Sequence, residues 1–200
     1  MKRVLVTGAT GFVGRHVVKP LRELGFEVHG RGHEADLLAE GVARQLVEKV
    51  QPSHLVHLAW TSSSERMRST EENAAWQRAS VALFDAFRGT RAVFAGTCAE
   101  YDWSHECLME DETPLKPRTP YGAAKNATRA AVEAIAAARG VSVGWGRLFF
   151  LYGPHEPRGR LVSDLCEGLL AERDIELTAG LQERDYMHVE DAGAALAALL

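Results

Sequence analysis

Cysteine is scarce in this chain of 200 residues: Cys98, Cys107 and Cys166 are odd in number and widely separated. That excludes a disulfide-stapled scaffold and leaves no closely spaced cysteine pair for a structural zinc. Long apolar runs are missing as well. The opening "MKRVLVTG" is too short an apolar stretch for an export signal, and no run approaches the roughly 20 residues of a membrane-spanning helix. The chain therefore reads as cytoplasmic. Positive charge is not in excess, since 23 Lys and Arg face 27 Asp and Glu for a net charge of −4, and no stretch gathers five like charges. Nucleic acid and anionic membrane surfaces have no electrostatic footing as partners. The eight histidines show no metal-ligand spacing on one helix, so no metal site is expected. Repeats and low-complexity segments are absent too.

What is present is alternation. Strand-like runs fall at Arg3–Thr7, Glu27–His29, His54–Ala59, Ala92–Gly96 and Ser142–Phe150, with helical patterns near Phe12–Leu24, Leu37–Val50, Glu71–Arg88 and Pro120–Arg139 between them. Gly25 and Gly140 stand where helix-ending glycines belong, and Pro20 is expected to kink the last turn of the first helix. Strands spaced by helices predict an α/β fold, a doubly wound parallel sheet of Rossmann type covered on both faces. A hydrophobic fraction of 46% in a chain this long supports a sizeable core. A loop-rich insertion, "CAEYDWSHECLMEDETPLKPRTP", follows the fourth strand, and long loops in compact domains usually carry function.

The stretch "TGATGFVG" places Gly8, Gly11 and Gly14 where the first strand gives way to the first helix. One glycine permits a tight turn, another lets backbone N–H groups approach a pyrophosphate, and a third lets helix and sheet pack closely. The helix N-terminus adds positive potential for an anion. In "TPYGAAK", Thr119 is placed to cap a helix that starts at Pro120, so Tyr121 and Lys125 lie one turn apart on one face.

With "HLVHLAW", "FAGTCAEY", "RLFFLYGP" and "RDYMHVEDAGAA", these motifs run in order from Thr7 to the chain end. Together they resemble the extended short-chain dehydrogenase/reductase family, whose members mostly modify nucleotide-activated sugars. The resemblance implies an NAD(P)-dependent enzyme in which Tyr121 exchanges a proton with a sugar hydroxyl while the cofactor exchanges hydride. It assigns Lys125 to the cofactor ribose and makes Thr97 the third catalytic group. The neighbouring ammonium and the cationic nicotinamide are expected to favour the Tyr121 phenolate.

Cofactor contacts follow by position: Gly8, Thr10, Gly11, Phe12, Val13 and Gly14 on the loop, Asp36 and Leu37 at the adenine end, and Leu58, Ala59, Trp60 and Phe149 along the cleft. Trp60 replaces a small residue, and either shapes the substrate pocket or fills core. The second strand ends without an acidic residue to hold a ribose 2′-hydroxyl but carries Arg31, which favours NADP over NAD.

On the substrate side the resemblance points to Thr97, Cys98, Phe150, Arg160 and Arg184, with Arg158 near the same anionic group. Phe150 stands where relatives often carry an asparagine; the alternative for Arg184 is an ion pair with Glu183 or Asp185. Glu190 and Asp191 are expected to cap the last helix, and His188 to be structural. A 4,6-dehydratase of this family carries Asp then Glu directly after the Ser/Thr; here these are Cys98 and Ala99, which disfavours dehydration and leaves a 4-keto reductase or a 4-epimerase. A non-catalytic dinucleotide-binding redox sensor is the alternative on the same fold. The dinucleotide-binding domain is expected over 1–153, with 154–200 beginning a smaller substrate-binding lobe that relatives continue further. Homodimerisation is the family habit.

Overall fold

The structure, a computed structural model, describes residues 2–61 and 65–200. Five parallel strands form the central sheet: β1 (Arg3–Thr7), β2 (Glu27–Arg31), β3 (His54–His57), β4 (Arg91–Thr97) and β5 (Ser142–Leu148), in the order β2-β1-β3-β4-β5. Residues alternate across each strand, so the sheet needs cover on both faces. Leu5, Leu55, Ala92 and Phe94 point to one side, beneath α2 (Val42–Val50), α3 (Thr70–Ala86) and α4 (Pro120–Arg139). Val4, Val6, Val56 and Val93 point to the other, beneath α1 (Phe12–Glu23) and α6 (Val189–Ala198). The doubly wound expectation is met.

The α1–α6 contact rests on Pro20 and Gly193. Proline at position 20 has no N–H for the carbonyl of His16, four residues earlier. A Cβ on Gly193 would sit 2.4 Å from that same oxygen, so glycine lets α6 approach there.

Winding outward from β1 in both directions places the loops after β1 and β3 on diverging paths. The crevice between them, at the carboxyl ends of the strands, is where such sheets take ligands. Several element ends differ from the sequence reading. β3 stops at His57; Leu58 still donates to the Thr7 carbonyl at 3.1 Å, after which the chain follows the glycine loop. α2 begins at Val42, because Leu37–Glu40 form turns in which Asp36 accepts from the Leu38 N–H at 3.1 Å. The last strand-like run is split at Phe149. β4 ends opposite Leu148, and β6 (Phe150–Tyr152) pairs instead with β7 (Tyr186–His188), across α5 (Leu161–Leu170). At α6 the cap is His188, whose Nδ1 accepts from the Glu190 N–H at 3.4 Å; Glu190 and Asp191 lie in the first turn, where carboxylates suit the helix dipole. Gly25 and Gly140 are in the left-handed region as expected.

Among the described residues, no helix is long and apolar enough to cross a membrane, and no group of His, Cys, Asp and Glu could hold a metal.

Candidate active site

A cleft of about 1270 Å³ opens at the carboxyl ends of the strands. Its floor is the β1–α1 loop. Gly8 has φ +73°, and a Cβ there would lie 2.8 Å from the Ala59 nitrogen. A Cβ on Gly14 would be 2.1 Å from the Gly8 carbonyl oxygen. These two glycines let the first helix and the β3 loop close around the same turn. Gly11 caps α1 without a side-chain oxygen, so the first-turn N–H groups are left for another acceptor. Thr10, Gly11, Phe12, Val13 and Gly14 all line the cleft. Arg15 Nε donates to the Thr10 carbonyl at 2.8 Å and pins the loop.

At the far end, Asp36 and Leu37 reach the cleft wall, as do Leu58, Ala59 and Phe149. Arg31 does not, contrary to expectation: it ends β2, and its Nη1 folds back to donate to the Gly30 carbonyl at 2.7 Å. The sequence reading missed Glu34, whose Oε1 accepts from the Gly32 N–H at 2.8 Å. That bond, with further donation from its own N–H, holds the Glu34 carboxyl below the usual carboxylate range. The loop lies against the glycine turn: a Cβ on Gly32 would be 2.2 Å from Thr10 Oγ1.

Thr97, Tyr121 and Lys125 meet at the middle of the cleft. Thr119 accepts from the Gly122 N–H at 3.0 Å with Pro120 in the first turn, which fixes where α4 starts and aims both Tyr121 and Lys125 inward. Tyr121 and Thr97 both line the cleft. Burial dominates the titration of Tyr121 and pushes the phenol up to about 12. Loss of solvent favours the neutral phenol, and the phenolate expected beside a cationic nicotinamide concerns the cofactor-loaded site. Lys125 is buried; Nζ donates to the Ala95 carbonyl at 2.9 Å and lies 4.1 Å from the Trp60 ring centroid. Burial brings its pKa down from 10.5 to about 7, against the pull of Glu100. Trp60 stacks on Trp76 at 6.2 Å, meets the Tyr121 ring edge-on at 6.1 Å, and donates to Asn73 Oδ1 at 3.0 Å. It is cleft wall, not core filling.

Beyond Thr97 the chain makes a single 3₁₀ turn, Cys98–Glu100, rather than continuing extended. The turn carries Glu100 back under the strand, fully buried. Its carboxylate accepts from the Thr97 N–H at 2.8 Å, from Trp145 Nε1 at 3.1 Å and from Arg147 Nε at 3.0 Å. Glu100 thus anchors the backbone of Thr97 and does not face the cleft. Sequence reading missed this network and also Trp103, which the insertion brings to the wall.

Cys98, Phe150, Arg160 and Arg184 line the outer part of the cleft. The alternative for Arg184, an ion pair with Glu183 or Asp185, does not form among the described residues. Its guanidinium lies 5.8 Å from the Trp103 ring and 5.4 Å from the Phe150 ring. Arg158 is absent from the cleft wall and pairs with Glu167 at 3.9 Å.

A sequence model of the NAD dependent epimerase/dehydratase family matches residues 4–200. A UDP-glucose 4-epimerase from Azospirillum brasilense is 28% identical over 238 residues, covering 99% of this chain and 68% of the relative. A UDP-glucuronic acid decarboxylase 1 from Xenopus tropicalis is 27% identical over 228 residues, covering 100% of this chain. The chain thus spans about two thirds of the first and 53% of the second. Among solved structures, the UDP-glucose 4-epimerase of Thermus thermophilus in complex with NAD superposes with a TM-score of 0.83 at 25% identity, over 98% of this chain and 73% of that one.

Proposed function

The chain belongs to the NAD-dependent epimerase/dehydratase family, and from that premise we propose that it catalyses hydride exchange at C4 of a nucleotide-activated sugar. The convergence of Thr97, Tyr121 and Lys125 beside the glycine loop carries this reading. In the names of the two curated relatives described above the substrates are UDP-sugars, and the Thermus enzyme was captured with NAD. The residues fit a dinucleotide: the cradle at Gly8 and Gly14 leaves no room for a side chain, and the α1 N-terminus offers donors without a capping oxygen. Residues 1–153 would form the dinucleotide-binding part, with 154–200 beginning the substrate-binding part.

A bound nicotinamide supplies the hydride donor or acceptor. The protein's own groups handle the oxygen. Tyr121, a phenol at rest, gives the Oη proton to a C4 carbonyl oxygen as the alcohol forms, and takes it back in reverse. Thr97 bonds the same oxygen and fixes its position. Lys125 directs an N–H not used by Ala95 toward a cofactor hydroxyl. Ketone reduction and C4 epimerisation both use this proton exchange. Dehydration lacks its groups: Ala99 transfers no proton, Glu100 is committed beneath the strand, and burial pushes the Cys98 thiol up. For the cofactor, Arg31 turned onto its own strand removes the ground for preferring NADP, and the NAD bound by the Thermus relative supports NAD.

Stoichiometry tests the assignment. A reductase consumes one NADH per product from a nucleotide 4-keto sugar, whereas an epimerase interconverts C4 epimers with no net consumption. Release of water from an unmodified nucleotide hexose would refute both.

A further inference from the structure

Lys125 is a buried amine whose surroundings do little to balance a charge. Nζ donates to the Ala95 carbonyl at 2.9 Å, and an ammonium has two further N–H groups to place. No ion pair to Lys125 forms among the described residues: Glu100, the carboxylate that attracts it, pairs with Arg147 at 3.0 Å. The other titratable groups facing it are neutral. His57 has its ring nitrogens taken up by Thr7 and Ser80, at 2.6 and 2.8 Å, and burial pushes it down to about 3. Tyr121 is a buried phenol whose ring centroid lies 6.0 Å from Nζ. Besides the Ala95 carbonyl, the cation meets the face of Trp60, with the ring centroid 4.1 Å from Nζ.

That face is held in place. Trp60 Nε1 donates to Asn73 Oδ1 at 3.0 Å, and the buried Asn73 in turn donates through Nδ2 to the Met67 and Ser69 carbonyls at 2.9 and 2.7 Å. Trp76 stacks on the same indole at 6.2 Å. An aromatic ring attracts a cation through its quadrupole, most strongly when the ring is tryptophan and water is excluded. A carboxylate in this place would hold one N–H in a fixed direction, whereas a ring face attracts the ammonium without taking a directed hydrogen bond. We propose that Trp60 is a positioning residue for Lys125: its indole face stands in for a carboxylate counter-ion, keeping the buried ammonium charged near neutral pH with an N–H to spare for the cofactor. The use of that charge rests on the reading of Lys125 as a cofactor-binding group. The charge itself is a property of the cofactor-free protein and is measured there.

The test weakens the face while keeping its shape. Ring-fluorinated tryptophans are placed at position 60 alone by codon suppression; fluorine withdraws electrons from the ring, and Nε1–H is retained. In the cofactor-free protein, NMR of isotope-labelled lysine follows the Lys125 Cε resonance with pH, assigned by its loss in Lys125→Met. The titration midpoint should fall with each added fluorine, by about one pH unit across the series, as expected when most of a desolvated cation–π contact is removed. A midpoint that stays fixed, or that rises, overturns the proposal. Calorimetric binding of NAD supplies the second readout. Above the parent midpoint, a one-unit fall leaves about a tenth of the charged form, so NAD should bind up to about tenfold more weakly; well below the midpoint, affinity should be unchanged. A shifted midpoint with NAD affinity unchanged at every pH supports the pairing of Trp60 with Lys125 and overturns the cofactor-binding reading of Lys125.

Discussion

Lys125 is held in the fold at an energetic disadvantage, and Lys125→Met exposes it. Lys125 is 3% exposed, and burial lowers its pKa from 10.5 to about 7. Each unit corresponds to about 1.4 kcal/mol, so the folded state disfavours the charged form by on the order of 5 kcal/mol. Between about pH 7 and 10.5 the unfolded chain keeps a proton that the native lysine has released. Wild-type stability therefore rises with pH across that window, by up to about 1.4 kcal/mol per unit. Methionine has no proton to exchange and contributes no such slope. The stability of the variant minus that of the wild type should fall by roughly 3–5 kcal/mol from pH 6.5 to 10.5. Loss of the Ala95 bond and the Trp60 contact offsets the whole curve without changing its slope. Urea denaturation at half-unit pH steps measures the difference, and titration calorimetry should show cofactor affinity weakened in the same protein. A difference that stays flat with pH, or grows with it, would refute the assignment of a burial-depressed Lys125.

Other perturbations follow from the same geometry. Gly14→Ala puts a Cβ 2.1 Å from the Gly8 carbonyl, a backbone atom with little freedom to yield; cofactor affinity by calorimetry should drop at least about tenfold and stability by roughly 1–3 kcal/mol. His57 is buried between Thr7 and Ser80 with its pKa pushed down to about 3. Between about pH 6.5 and 3 the unfolded chain takes a proton that native His57 refuses, so stability drops as the pH is lowered there; His57→Gln should remove roughly 3 kcal/mol of the loss between pH 6.5 and 4, read by denaturation at each pH. Glu100→Ala leaves the half-buried Arg147 without its carboxylate and should lower stability by roughly 3–5 kcal/mol, with Glu100→Ala/Arg147→Met recovering much of it in the same melts.

The sheet, its winding and the glycine turn were legible because each is a local pattern: apolar strand, glycines at the turn, amphipathic helix. Thr119, Pro120, Tyr121 and Lys125 were legible for the same reason, since one capped helix fixes their spacing. The parts that escaped depend on where a chain turns in space. Arg31 points at a cofactor in a linear reading, but its guanidinium reaches the Gly30 carbonyl first. Glu100 came under the strand because the chain tightens into a 3₁₀ turn after Thr97, and its partners Trp145 and Arg147 lie some 45 residues on. Trp103 sits in an insertion with no periodicity to reveal its direction. The Tyr121 titration depends on burial, which no spacing encodes.

The most direct test of the account is Tyr121→Phe, assayed with NADH and a nucleotide 4-keto sugar that the wild type reduces. Phenylalanine keeps the ring against Trp60 but removes the only atom through which Tyr121 moves a proton. Cofactor affinity should stay within about twofold, while kcat falls by roughly 10²–10⁴, the usual contribution of a positioned proton-transfer group. A kcat close to that of the wild type, with cofactor affinity intact, would contradict the account at its centre.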